Sequence, residues 1–573
     1  MPLFSDKSPM EYDAIVVGSG ISGGMAAKEL CEKGLKTLLL DRGRNVEHVK
    51  DYDTANLERW QLPNYGKMTA EQMKDYPKQK RTGYTIGNGH AQFFVKDTEH
   101  PYNEEPDTRF DWIRGYHVGG RSLVWGRQSY RWSAMDFESN AREGIAIPWP
   151  IGYDDIEPWY DYVERFAGIS GQKEGLKQLP DGQFLEPMQL NGVEKDLREK
   201  IKQNYADRIL TIGRVAHITS DADRFENRGS CQFRNRCMRG CPYGAYFSSN
   251  ASTLPAAEKT GNLTLRPFSI CHQIIYDENT KRATGVSVID QETNKTYEFN
   301  AKIIFVCAST VGSTSILMQS TSNRYPNGMG NDSGELGHNI MDHHFQVGAS
   351  ATVEGFDDRY YKGRRPNGYY IPRFRNLPWM AETKKDFLRG YQFQGGASRQ
   401  NWTRAVAEMR YGGAFKDEMM KPGEWNIGMN AFGEMLPYHD NKMVLDNDKK
   451  DKCGLPTVTF STTLKENEEK MRIDMKETAV EMFEKAGYKN VKPFDRGYGV
   501  GLGIHEMGTA RMGNDPKTSV LNKYNQIHDC KNVFVTDGSC MTSAACQNPS
   551  LTYMALTARA ADYAVSELKK QNL

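Results

Sequence analysis

Gly18-Ser19-Gly20-Ile21-Ser22-Gly23 follows the apolar run Ala14-Ile15-Val16-Val17 and precedes Met25-Ala26-Ala27-Lys28-Glu29-Leu30-Cys31. A short β-branched run, a glycine turn and a helical run read as strand, turn and helix, the context of a dinucleotide fingerprint. The first glycine permits the turn, the second admits a pyrophosphate close to the backbone, and the third lets helix and strand pack, so that Ile21 and Ser22 open the helix at the phosphates. Gly34 is placed to end that helix. The next strand, Lys36 to Leu40, ends at Asp41, positioned to accept ribose hydroxyls, with Arg42 beside it. Glycines serving only a sharp turn are the alternative, and the motif by itself admits NAD or FAD.

The chain has 573 residues, enough for several domains of about 150 residues, although large α/β enzymes also build two domains from interleaved segments. With 74 basic and 73 acidic residues the net charge is +1, so no polyelectrolyte partner, nucleic acid included, is expected. No run approaches the roughly 18 apolar residues that cross a bilayer. Mean hydropathy is -0.69, and a soluble chain with no membrane span is expected. Met1 to Lys7 lacks an apolar core and a twin arginine, so no export signal of the chain's own is expected.

Residues 42–111 read as a polar surface stretch with a short helical candidate at Thr69 to Met73. Gly115-Tyr116-His117-Val118-Gly119-Gly120-Arg121-Ser122-Leu123-Val124-Trp125-Gly126 follows, and its paired glycines and small hydroxyl suit a loop against a flat or anionic ligand, or a tight turn. A helix is expected from Asp155 to Phe166, opened by acidic residues. Leu263 to Leu265, Ile274 to Tyr276, Ala283 to Ile289 and Thr296 to Phe299 predict a β-meander leading into a buried strand, Lys302 to Cys307. The aromatic and polar alternation of 346–494 predicts an antiparallel sheet with a ligand-facing side, completed by a helix from Glu466 to Gly487.

Three of ten cysteines form C-x5-C-x3-C followed by proline: Cys231, Cys237, Cys241, Pro242. Three thiolates in one loop with glycine and proline suit an iron-sulfur cluster, and the lack of a nearby fourth cysteine suggests 3Fe-4S. Arg234, Arg236 and Arg239 would offset the thiolate charge. Zinc with Cys271 or His272 as a fourth ligand, structural thiols and a disulfide are the rivals. Cys31, Cys271, Cys307, Cys453, Cys530, Cys540 and Cys546 read as scattered buried thiols. The adjacent His343 and His344 lack cysteines or carboxylates at ligand spacing, so they do not read as a metal site.

The C-terminal runs His505-Glu506-Met507-Gly508-Thr509-Ala510-Arg511, Val533-Phe534-Val535-Thr536-Asp537-Gly538 and Cys546-Gln547-Asn548-Pro549-Ser550-Leu551, taken with the N-terminal fingerprint, resemble the glucose-methanol-choline (GMC) FAD oxidoreductases, which oxidise alcohols and sugars. Ser309 to Leu317 and Leu336 to His343 look like that family's internal landmarks. The resemblance implies an α/β fold: a Rossmann-like FAD-binding domain (1–135, 211–345 and 495–573, with the cysteine loop 231–244) interleaved with an antiparallel-sheet substrate domain (136–210 and 346–494). It implies FAD contacts from Gly18, Gly20, Ile21, Ser22, Gly23, Asp41, Arg42, Gly119, Gly120, Ser122, Trp125, Gly126, Asp537, Pro549, Ser550 and Leu551. Val118 to Trp125 looks most like the pyranose 2-oxidase branch, whose flavin-bearing histidine is replaced here by Val124, so the implied FAD is non-covalent.

The resemblance also makes His505 the catalytic base and Asn548 its partner, a donor to the substrate oxygen. Neutral imidazole, titrating near working pH, suits that task. Pro549 would begin a helix running from Leu551 to Leu568, whose N-terminus would favour negative charge on the flavin. The cysteine loop is similar to that of the gluconate, fructose and glucose dehydrogenases and, with the 118–125 loop, to glucoside 3-dehydrogenases. This implies a sugar or glycoside dehydrogenase giving a 3-keto sugar, passing electrons from a 3Fe-4S cluster to a cytochrome-type acceptor. It also implies a small companion subunit carrying the export signal, hence a periplasmic chain, with a cytoplasmic one as the alternative. An FAD oxidase with inert cysteines, and a flavin-retaining lyase or carbohydrate-binding relic, are the competing functions.

Overall fold

The computed structural model describes residues 11–359, 367–400, 412–421 and 423–573; the segment read for an export signal lies outside them. Glu11–Val17 is the central strand of an α/β sheet ordered 526–527, 530–535, 296–306, 11–17, 37–40, 263–266. It pairs in parallel on both sides, Val17 opposite Leu40 and opposite Val306. Ala14, Ile15 and Val16 are fully buried, which accounts for an unbroken apolar run where a one-sided strand would alternate. The helix Ile21–Glu32 follows, and Gly34, at φ +89°, turns the chain out of it.

The expected meander is partly corrected. Ser269–Asp277, Arg282–Asp290 and Thr296–Val306 form antiparallel pairs, but Leu263–Arg266 pairs in parallel with Thr37–Leu40. The helix Thr253–Lys259 precedes it and packs on Ile21–Glu32, supplying the crossover that a parallel neighbour needs. The helix expected at Thr69 to Met73 is instead a single 3-10 turn, Gln72–Asp75. Tyr153–Ala167 is helical, with the Asp155 carboxylate accepting from Gly152 N at 2.9 Å and Gly168 in the left-handed region ending it.

The second sheet has six strands in the order 489–495, 343–353, 425–434, 391–399, 369–371, 211–212. In Trp425–Glu434, Trp425, Ile427, Met429 and Ala431 point into a core with Met471, Met475, Ala479 and Phe483 of the helix Glu466–Lys485. The alternate residues face the other way, and Phe432 with Gln394 of the next strand lines a large cavity between the sheets. Two short strands cross between the expected segments: Asn103–Glu104 pairs with Pro456–Ser461, and Thr211–Ile212 with Tyr369–Ile371.

Candidate active site

The cavity, about 610 Å³, lies beyond the C-terminal ends of the parallel strands, where the adjacent strands 11–17 and 296–306 lead to opposite sides of the sheet. Gly18, Ser19, Gly20, Ile21, Ser22, Asp41 and Arg42 line it, as do His505 and Asn548.

The glycines of the first turn have separate tasks. Gly18 has φ +93°, and a Cβ there would sit 2.5 Å from the Cys307 carbonyl oxygen. A Cβ on Gly23 would lie 1.7 Å from the Gly18 carbonyl, so this glycine serves strand-to-helix packing and does not reach the cavity wall. At Gly20 a Cβ would meet nothing within 4 Å: its bare face is the cavity. Gly120 stands opposite, its Cβ position 3.4 Å from Gly20 Cα. Gly119 N donates to Ser19 Oγ at 2.8 Å, joining the two glycine loops. Gly119 itself is off the wall, at φ +89° against Asn250. Ser122 Oγ donates to Gly119 O and accepts from Ser249 N, and Trp125 Nε1 donates to Phe247 O at 2.8 Å.

Asp41 Oδ2 accepts from both the N–H and the hydroxyl of Ser19, and Oδ1 accepts from Gly43 N at 2.9 Å. One lone pair of Oδ1 is left for an incoming hydroxyl. Asp537 lines the wall while accepting from Ser313 and Ser539 hydroxyls. Ser550 also lines it, at the start of the helix Ser550–Lys569. Pro549 precedes that helix as its cap, and Leu551 is buried in the core, so neither reaches the wall. These residues fit a dinucleotide: a glycine backbone with no side chain on its cavity face, an acceptor at the end of the second strand, and one continuous space leading to a histidine.

At that histidine, His505 Nε2 lies 3.4 Å from Asn548 Nδ2, and Gln394 Nε2 donates to Asn548 Oδ1 at 2.6 Å. His505 Nδ1 is 2.8 Å from His343 Nδ1, whose other nitrogen is 2.7 Å from the Ala545 carbonyl oxygen. Asp342 accepts from four backbone N–H groups, those of His343, Gly501, Gly503 and His505, at 2.8 to 3.1 Å. The loop that carries His505 is thus tied down by one carboxyl group. Gly503 cannot carry a side chain, because its Cβ would come within 2.3 Å of Asp342 Oδ1. Burial pushes the imidazole of His505 well below the ordinary histidine range, helped by its neighbours His343 and Arg121. Burial likewise lowers His343, to about 4, so both rings are neutral near pH 7.

The thiols of Cys231, Cys237 and Cys241 face a separate small cavity of about 30 Å³, shared with His217 and Tyr246. All ten cysteines are free, and Cys271 and His272 do not border this space. Among the described residues no three His, Cys, Asp or Glu side chains are drawn close enough to hold a metal ion. Arg234, Arg236 and Arg239 reach away from the thiols to the 54–58 segment: Arg234 to Ala55 O and Asn56, Arg236 to Asn56 O and Glu58, Arg239 to Leu57 O. They clamp the loop rather than face the thiols. Two other arginines are buried beside the thiols, Arg127 next to Cys231 and Arg228 next to Cys241. Neither has a carboxylate within 4.0 Å among the described residues, and burial pushes Arg228 down to about 9. His217 lies between them with both ring nitrogens unpartnered.

The chain matches the GMC oxidoreductase N-terminal profile over residues 12–345 and the C-terminal profile over 437–557. It belongs to the GMC oxidoreductase family. This GMC chain is an FAD-family oxidoreductase of CH–OH donors. It is 29% identical to 2-methyl-1,2-propanediol dehydrogenase of Mycolicibacterium austroafricanum, over 96% of this chain and 95% of that protein. It is 24% identical to the fructose dehydrogenase large subunit of Gluconobacter japonicus, over 98% and 99%. A variant of the formate oxidase of Aspergillus oryzae RIB40 shares the fold, with a TM-score of 0.62 at 13% identity over 98% of this chain and 100% of that one.

Several residues of this GMC site escaped the sequence reading. His343 and Asp342 belonged to a recognised run, but no spacing rule ties them to a loop 162 residues away. Gln394 is one amide in an alternating strand, and Arg127, Arg228 and His217 carry no local pattern. Val124 lines the cavity without offering a nucleophile.

Proposed function

We propose that this GMC oxidoreductase is a dehydrogenase that oxidises a secondary alcohol of a sugar or glycoside, at C3, giving a 3-keto sugar. The observation that carries this reading is the His505–Asn548 pair on the wall of the cavity that begins at Gly20. FAD, held non-covalently when bound, supplies the two-electron acceptor for the alcohol carbon. Gly18, Gly20, Asp41 and Gly120 would hold its dinucleotide part, and Asp537 and Ser550 line its path. His505, neutral because it is buried, takes the hydroxyl proton at Nε2. Asn548 donates its amide N–H to the substrate oxygen, its orientation held by Gln394. The start of helix Ser550–Lys569 brings partial positive charge to the same wall. Gln128 and Asn367, joined by a hydrogen bond, add neutral amides to the lining, suited to hydroxyl groups.

In the same reading the parallel-sheet segments are the FAD domain and the six-stranded sheet is the substrate domain. Cys231, Cys237 and Cys241 would hold a 3Fe-4S cluster, which supplies a one-electron outlet towards a cytochrome-type acceptor. The donor chemistry supports it: two buried arginines without carboxylates stand beside the thiols, where an anionic cluster would compensate them. A fructose dehydrogenase named as a large subunit supports a small companion chain, with which this one would be exported. The relative named for 2-methyl-1,2-propanediol favours a second reading, a small diol as substrate.

An anaerobic screen of glycosides and small diols by flavin bleaching, with analysis of the carbon oxidised, tests the reading. Bleaching by glycosides with 3-keto products is expected; bleaching by diols alone would overturn the sugar assignment. Iron and acid-labile sulfide near three and four per chain are expected. Iron-free protein that reduces oxygen as fast as dyes would leave an oxidase.

A further inference from the structure

We infer that His343 is a positioning residue that fixes the proton of His505 on Nδ1 and so leaves Nε2 bare towards the substrate. This rests on the reading of His505 as the base.

The direction of the hydrogen-bond chain follows from its end. The Ala545 carbonyl oxygen only accepts, so His343 Nε2, 2.7 Å away, carries the hydrogen. A neutral imidazole has one N–H, so His343 Nδ1 is an acceptor. His505 Nδ1, 2.8 Å from it, is therefore the donor. By the same rule His505 Nε2 holds a lone pair. The opposite end agrees: Gln394 occupies Asn548 Oδ1, which turns the Asn548 NH2 group towards Nε2. Carbonyl, two imidazoles and two amides form one polarised row.

His343 is buried, so no water can rescue a wrong tautomer from its side of the pair, while half-buried His505 turns its other edge to the cavity wall. If His505 carried its hydrogen on Nε2, two lone pairs would face each other at the histidine pair and two donors at Asn548. When His505 accepts the substrate proton it keeps its Nδ1 hydrogen bond, and His343 stays neutral. The same dipeptide does both jobs on the loop: Asp342 holds its backbone and His343 its side chain. The charged and titratable groups around the pair are Asp342, Glu506 and Arg121 at His505, and Glu434 with His344 at His343.

The test uses the FAD-loaded protein. His343→Leu removes the acceptor, His343→Asn returns one at the δ position, and His343→Gln reaches Ala545 but not His505. Flavin reduction at saturating sugar is expected to fall about 10- to 100-fold in His343→Leu and His343→Gln. It should recover most of that loss in His343→Asn, with KM little changed throughout. Equal rates in the Leu and Asn variants would overturn the inference.

Nitrogen-15 NMR of histidine-labelled wild-type protein reads the tautomer without turnover and stands even if a variant fails to fold. A bare Nε2 on His505, assigned by its loss in His505→Ala, is expected; a protonated Nε2 in the neutral ring would overturn the proposal. Full flavin reduction by His505→Ala would instead defeat the base reading, whatever the tautomer.

Discussion

Arg121 grips both carboxylate oxygens of Glu506, Nη1 to Oε1 at 2.9 Å and Nη2 to Oε2 at 2.8 Å, across 385 residues of sequence. The pair joins the second glycine loop to the residue after His505, and Arg121 also donates to Ser309 at 2.8 Å. One bidentate ion pair thereby sets the glycine loop against the loop that carries His505. Glu506 is almost fully buried, so its removal leaves Arg121, 24% exposed at the cavity wall, without its counter-charge. Glu506→Ala is expected to cost about 3 to 5 kcal/mol. Denaturant unfolding of the FAD-loaded protein measures this, and a loss under about 1 kcal/mol would show that the pair is not a structural link.

Gly20 and Gly23 should fail differently. Gly23→Ala drives a methyl into the Gly18 carbonyl and is expected to prevent folding of the first unit. Gly20→Ala places its methyl in open cavity, so the chain should fold and bind FAD more weakly. Circular dichroism and the flavin content of purified protein separate the two. Full FAD content in Gly20→Ala would remove this face from the cofactor site.

His505→Ala is expected to slow flavin reduction by about 10² to 10⁴, with FAD content unchanged. Asn548→Asp puts a carboxylate beside Nε2, which favours the protonated ring and raises its pKa. Since only the neutral ring accepts a proton, the acid limb of the pH–rate profile should move upward. In the wild type burial keeps that limb below the ordinary histidine value of about 6.5. Stopped-flow reduction across pH reads both, and coincident profiles would refute the pairing.

Acid should remove the stabilisation that comes from His343, while Asp342, raised to about 7 by burial, acts with the opposite sign over the same range. His343 titrates near 4 when folded and about 6.5 when unfolded, so between these values the unfolded chain binds the extra proton. The His343 contribution is complete above about pH 6.5 and is lost as pH drops to 4, by roughly 3 kcal/mol. Unfolding midpoints of wild type and His343→Asn at pH 7, 5.5 and 4.5 are the check. The variant should lose less, and parallel decline would assign the loss elsewhere.

Arg228 reports on the cysteine cavity. If an anionic cluster sits there, Arg228→Met removes its buried counter-charge, and a more negative cluster potential or lower iron content is expected. Voltammetry with iron analysis measures this. A variant that is iron-free like its parent and melts higher would mean that the arginine was simply an uncompensated buried charge.

What was legible from sequence was local. A strand, a glycine turn and a helix are specified by residues within twenty positions, because β-branching, positive φ at Gly18 and helical patterning are properties of the local backbone. The same holds for the cysteine spacing and for the C-terminal runs that carry the family resemblance. Tertiary structure decided the partners. Leu263–Arg266 could pair with its neighbour in sequence or with Thr37–Leu40, and only the intervening helix selected the parallel mate. Arg234, Arg236 and Arg239 looked like counter-charges, yet backbone carbonyls of 55–57 claimed them, while Arg127 and Arg228 took the places beside the thiols. Most of all, sequence determined that His505 is present in its motif. Its pairing with His343, and the bare Nε2 inferred from it, arise because folding brings Ala545 O, His343 and His505 into one row, where a single acceptor-only carbonyl sets the direction of every hydrogen that follows.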